Sequence, residues 1–307
     1  NEGSNGGAVY SLGSREVAIT GCEFTANAAT GDGGNPGGGG NGGALGVDGA
    51  ARTVRICGST FRDNSANAYG AAFFSVMYGD DRLTEFVACT FRGNHNPGDD
   101  QFAGGAYVQG GPFSIRDSLF RGNEANGVGA LFLGPSATGD LTNCTFTKNI
   151  ARQGLAGAIT VNTSRPVDIV NSTIVDNHAP GELAFAAGIN VDPVNALTLR
   201  NTILADNTAG NVWNPWNIRR TVLDGGGNLQ WPPTRPNGQT EEPATATVVW
   251  ADPLLLPIGD YGGISETIPP GDLSPALGGG VSGGAPPADQ RGRARIVPVD
   301  VGAYENP

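Results

Sequence analysis

Apolar and polar positions recur in step through the first two thirds of the chain. Seven segments share one pattern: a small polar residue or Cys, any residue, a large apolar residue, two further residues, then Asn. They end at Asn27, Asn64, Asn94, Asn123, Asn149, Asn177 and Asn207, with separations of 37, 30, 29, 26, 28 and 30 residues. A second column runs with them, from Gly7-Ala8-Val9 through Gly43-Ala44-Leu45, Gly105-Ala106-Tyr107 and Gly157-Ala158-Ile159 to Ala187-Gly188-Ile189. A third precedes the Cys or Ser position: Val17-Ala18-Ile19, Val54-Arg55-Ile56, Leu83 to Val87, Phe113-Ser114-Ile115, Val167-Asp168-Ile169 and Leu197-Thr198-Leu199. Alternation with period two marks strands with one buried face.

Each unit of about 30 residues therefore holds three short strands and no helix pattern, with turns at Gly, Asn, Asp and Pro. The expected fold is all-β: a parallel β-helix of about eight coils over residues 1–229, right-handed by the general crossover rule. One coil cannot bury its own core, whereas a stack can. Propeller blades of about 40–50 residues do not fit the spacing. Phe24, Phe61, Phe91, Phe120 and Phe146 should stack inside as an aromatic ladder, continued by Ile174 and Leu204. The Asn column is expected at a turn, where Asn tolerates left-handed dihedrals and stacked amides bond one another.

The repeat stops after about Leu229. Of the 21 prolines, 13 lie in the last 77 residues, so residues 230–307 read as a loop-rich cap or flank. Trp213, Trp216, Trp231 and Trp250 gather at the junction. They read as core of that cap or, functionally, as a carbohydrate platform.

Composition narrows the classes. Gly is 50 of 307 residues without a G-X-Y period, which excludes collagen. A net charge of −11 argues against nucleic-acid binding. No run of about 18 apolar residues exists, so no membrane span is expected. The first residues show no signal-peptide pattern, so any such peptide is expected to be already gone.

Candidate chemistry is sparse. Asp99-Asp100 beside His95 forms the best local constellation for a catalytic or metal site, though it reads first as a solvated loop. His95 and His178 each follow a column Asn three coils apart, about 14 Å, too far to share a metal or a proton. Arg62, Arg92 and Arg121 follow the column Phe and should point outward as a three-rung ladder able to grip an anionic glycan, screened by Asp63 or Glu124. A glycan hydrolase or lyase would need outward carboxylates stacked in neighbouring coils, and none is evident in the columns. Cys22, Cys89 and Cys144 share one column in alternate coils, too far apart for a disulfide. Cys57 lies two residues before that column; a bridge to Cys22 or Cys89 needs a bulge, and the simpler reading is four buried thiols. No metal site and no cofactor are expected.

The paired signals Gly-Gly-Ala-apolar and Phe-x-x-Asn resemble the repeats of chlamydial polymorphic outer-membrane proteins. The last third resembles bacterial choice-of-anchor Q domain proteins, through Gly225-Gly226-Gly227-Asn228-Leu229, Asp252-Pro253-Leu254, Gly262-Gly263, Ser274-Pro275-Ala276, Asp289-Gln290-Arg291-Gly292 and Asp300 to Glu305. The resemblance implies a right-handed parallel β-helix, exported and often surface-attached, without a settled activity. The chain opens directly in a coil and ends soon after Glu305, so it reads as a processed or trimmed product. The expected role is an exported structural protein of the cell surface or extracellular matrix, stacking end to end through its uncapped first coil. The alternatives are a polysaccharide-binding or polysaccharide-degrading protein and an adhesin.

Overall fold

The computed structural model describes all residues except 34–37, 50–52, 78, 80 and 99–101. The chain winds as a β-solenoid of about eight turns. Sheet one has seven strands, from Val9–Leu12 to Ile189–Val191. Sheet two has eight, from Glu16–Thr20 to Leu223–Asp224. Sheet three has nine, from Glu23–Thr25 to Val249–Trp250. In each sheet, a strand pairs in parallel with its equivalents one coil before and after. A fourth, short row completes each turn and was not anticipated. Its two-residue strands, such as Ala28–Ala29 and Ile150–Ala151, directly follow the column Asn, and His95 bridges the row's two halves. Among the described residues no helix is long and apolar enough to cross a membrane.

The aromatic ladder forms as expected. Phe24, Phe61, Phe91, Phe120 and Phe146 stack at centroid distances of 4.8, 4.9, 4.5 and 4.6 Å with nearly parallel rings. Parallel register forces this geometry, because identical positions lie one rung apart. Ile174 and Leu204 extend the column, and it ends on Gln230 and Trp250. Gln230 is fully buried. Its amide donates to Glu242 O and accepts from Ala244 N, so the column turns polar where the chain closes that end.

The asparagines form one continuous column of bonds. The backbone N–H and Nδ2 of Asn64 both donate to Asn94 Oδ1, at 3.0 and 2.9 Å. Asn94 Nδ2 donates in turn to Asn123 Oδ1 and to Phe61 O. Every polar atom of that buried amide is satisfied, which is the condition for burying it. Asn1 extends the column at one end and Asn217 at the other. The turn itself falls one residue earlier than expected. Ala26, Asp63, Gly93, Gly122, Lys148, Asp176 and Asp206 carry the left-handed dihedrals, and the Asn that follows supplies the bonds. The second column has a steric reason: a Cβ on Gly43 would lie 2.1 Å from Ala71 O.

The last third is a flank more than an end cap. Residues 232–250 close the end of the stack, and the remainder runs back along the outer face of sheet three. Val175, Ile203, Ala205 and Leu229 on that face join Ile268, Ala276 and Val301 in a second apolar core. Ala303 N–H donates to Thr173 Oγ1, Gln290 pairs with Thr145, and Glu266 reaches Arg121. The tryptophans do not form one cluster. Trp216 packs on the alanines of the short row, Trp231 packs in the second core, and Trp213 is 79% exposed.

Candidate functional site

Arg62, Arg92 and Arg121 lie in direct register on sheet three, opposite the buried Phe column. Of the two expected screens, Asp63 takes that place and Glu124 does not. Asp63 meets Arg62 at 3.4 Å, as does Glu23. Glu124 turns instead to Arg152, at 2.9 Å. The screen for Arg121 and Arg92 is Glu266 from the C-terminal flank, at 2.6 and 3.7 Å. One carboxylate thus serves two guanidiniums, and the Arg92–Arg121 part of the strip is a docking seam for the C-terminal flank.

Asp99 and Asp100 lie outside the described residues. His95 sits in the short row between Ser65 and Glu124. His178 lies three rungs further, its Nδ1 2.7 Å from Thr208 Oγ1 and its Nε2 3.4 Å from Asp176. The two imidazoles are separate, as their spacing implies. Among the described residues, no group of three or more His, Cys, Asp or Glu side chains is placed to hold a metal ion.

All four cysteines are free. Cys89 and Cys144 are buried and Cys57 is partly buried. Cys22 is exposed, against expectation, because its coil has a neighbour on one side. Burial pushes the Cys89 thiol up to about 11 and raises that of Cys144 as well, so both are inert small apolar groups. Their column also has a bonding reason. Cys22 N–H donates to Ser59 Oγ, Cys89 N–H to Ser118 Oγ and Cys144 N–H to Ser172 Oγ.

The columns do hold a pair of stacked carboxylates. Asp140 and Asp168 occupy the same outward position of sheet two in neighbouring coils. Gly139 stands where the strand's first apolar residue is expected, which hid this coil from the alternation. Asp140 accepts from Ser114 Oγ and Thr142 Oγ1, both at 3.3 Å. Burial, followed by the Asp168 charge, holds its carboxyl above the usual range. With Thr198, Arg200 and Gly284 the pair lines a cavity of 250 Å³ between solenoid and flank.

A larger concavity lies elsewhere. The loops joining the short row to sheet one stack at one corner and enclose a groove of 920 Å³. Phe102, Leu155, Leu183 and Phe185 supply its apolar walls, and Gly127 and Gly154 its floor. Beyond Phe185 a second groove of 640 Å³ opens, lined by Trp213, Arg219 and Glu242 among others. The Arg219 guanidinium stacks 4.2 Å over the Phe185 ring.

Fold and site together define a β-solenoid with a self-docked flank and a corner groove. Family models, curated proteins and solved structures gave no match to this chain.

Proposed function

We propose that this chain is an exported structural protein of the cell surface or extracellular matrix, a rod that holds its shape through repetition. The carrying observation is the unbroken amide column from Asn1 to Asn217, saturated rung by rung beside the Phe stack. Such a stack gains stability from each nearest-neighbour interface. The surface location rests on the likeness of the Gly-Gly-Ala and Phe-x-x-Asn repeats to exported repeat proteins.

Immunogold labelling of source cells and negative-stain microscopy of the purified protein test this reading. Label on the cell surface or matrix is expected, with rods about 40 Å long. Cytoplasmic label would overturn it. So would release of reducing ends or unsaturated uronates from a polysaccharide panel, which would make the Asp140–Asp168 cavity a catalytic site.

A further inference from the structure

The geometry points to the corner groove as a binding site for a neutral polysaccharide strand. The protein carries 29 acidic and 18 basic residues, yet among the described residues no charged side chain lines the 920 Å³ groove. An anionic ligand would find no cationic partner among these lining residues, so electrostatic complementarity favours an uncharged chain. Three side-chain amides, Asn126, Gln153 and Asn211, face the apolar walls. Their backbones are paired between coils, but the side-chain amides of Asn126 and Gln153 make no hydrogen bond within the described part of the protein. Planar amides and flat apolar faces match a pyranose, which presents equatorial hydroxyls at its rim and C–H groups on its faces.

Spacing supports the same ligand. Lining residues come from successive coils: Phe102, Asn126, Gln153 with Leu155, Leu183 with Phe185, then Asn211. Coils repeat at about 4.8 Å, close to the length of one sugar in an extended chain. A strand laid along the axis therefore meets equivalent contacts once per residue. An extended peptide fits less well. Strand addition requires free backbone groups, and here they are already paired between coils: Gly154 N–H donates to Asn126 O at 2.8 Å, and Ala186 N–H to Leu155 O at 3.2 Å. The glycine floor follows from that stacking, since a Cβ on Gly154 would lie 2.6 Å from Gly127 Cα.

Affinity electrophoresis of the full chain tests the proposal, in gels containing xyloglucan, mixed-linkage β-glucan, mannan, dextran, polygalacturonate or alginate. Retardation by at least one neutral polymer is expected, unchanged by added salt. Phe185→Ala should weaken it about tenfold. Because Phe185 also carries Arg219, the exposed Gln153→Ala and Leu183→Ser serve as second variants; each should weaken binding with the melting temperature unchanged. No retardation in any neutral gel overturns the proposal. Retardation confined to the acidic polymers, or unaffected by all three variants, does so too. A concentration-dependent dimer in sedimentation that Leu183→Ser abolishes would assign the groove to a second copy.

Discussion

The solenoid and its C-terminal flank solve burial in opposite ways. Among the described residues of the coils the buried polar groups are neutral amides and hydroxyls, and the Asn column repeats its amide from rung to rung. In the region after residue 230 they include ion pairs. Arg291 meets Asp289 at 2.6 Å, Arg295 meets Glu305 at 2.9 Å, and Arg235 meets Glu241 at 3.2 Å, with every one of these side chains at most 5% exposed. Ion pairs on the coils, such as Arg55–Glu85 and Arg62–Glu23, keep at least one partner well exposed. Repetition explains the difference. A charge repeated each rung would face its own kind about 4.8 Å away, whereas an amide is its own complement. The irregular flank never repeats and can place each charge once.

The largest effect should come from the coil side. Phe91 stacks between Phe61 and Phe120 and also touches Phe86. Phe91→Ala should cost about 3–5 kcal/mol and lower the whole melting transition. Asp289→Ala should cost a similar local amount, about 3–5 kcal/mol, because it strands a buried guanidinium. Asp289 accepts from Arg291 Nε and Nη2 and from the backbone of Arg291, Arg293 and Glu305. The two losses should look different. Hydrogen exchange after Asp289→Ala should rise across 251–307 and leave the Asn column protected. Uniform exchange in both variants would show that flank and coils unfold as one unit.

Asn94→Ala comes next, at about 1–3 kcal/mol. It removes the acceptor for two Asn64 donors and leaves the backbone N–H unpaired inside. Denaturant melts should place it below Phe91→Ala, since the cavity is smaller. A loss above that of Phe91→Ala would make the amides the main support.

Much of this frame was legible in the chain. A ladder repeats its side chain, so Phe24 to Phe146 and Asn27 to Asn207 announced both columns and their register. What escaped is what does not repeat. Asn217 lies ten residues after Asn207, out of step, yet ends the amide column. Asp140 was hidden because Gly139 replaces the expected apolar residue. The path of the flank had a faint signal. The residue after the column hydrophobe changes from Arg62, Arg92 and Arg121 to Thr147, Val175 and Ala205, and these last three are buried. The outer face loses its charge where the flank covers it. Glu266 could not be assigned to Arg92 and Arg121, because 145 residues separate it from the latter.

Asp140 sharpens the comparison through pH. Its folded carboxyl is held above the usual range, burial first and the Asp168 charge adding to it. The folded state therefore binds that proton more tightly than the unfolded chain. Ionisation costs stability above the raised value, and the cost disappears below the ordinary carboxylate range. Asp140→Asn should stabilise the protein at pH 7, with the gain vanishing toward pH 3. Urea melts across that interval would show it. Destabilisation at pH 7 would mean that the ionised form is needed by Ser114 and Thr142.

The smallest effect should fall at the seam between the two regions. Glu266 joins them through Arg121 at 2.6 Å and Arg92 at 3.7 Å. The carboxylate is 32% exposed and Arg92 52% exposed, so water and salt screen most of the attraction. Glu266→Gln should cost at most about 1 kcal/mol, and raising the salt from 0.05 to 0.5 M, values chosen to shorten the screening length severalfold, should shrink the difference further. The flank stays docked because its apolar core with Val175, Ile203 and Leu229 is untouched. Limited proteolysis after Glu266→Gln should match wild type, in contrast to Asp289→Ala. Rapid cleavage within 251–307 in the Gln variant would instead mean that one half-exposed charge, and not the buried pairs, holds the flank to the coils.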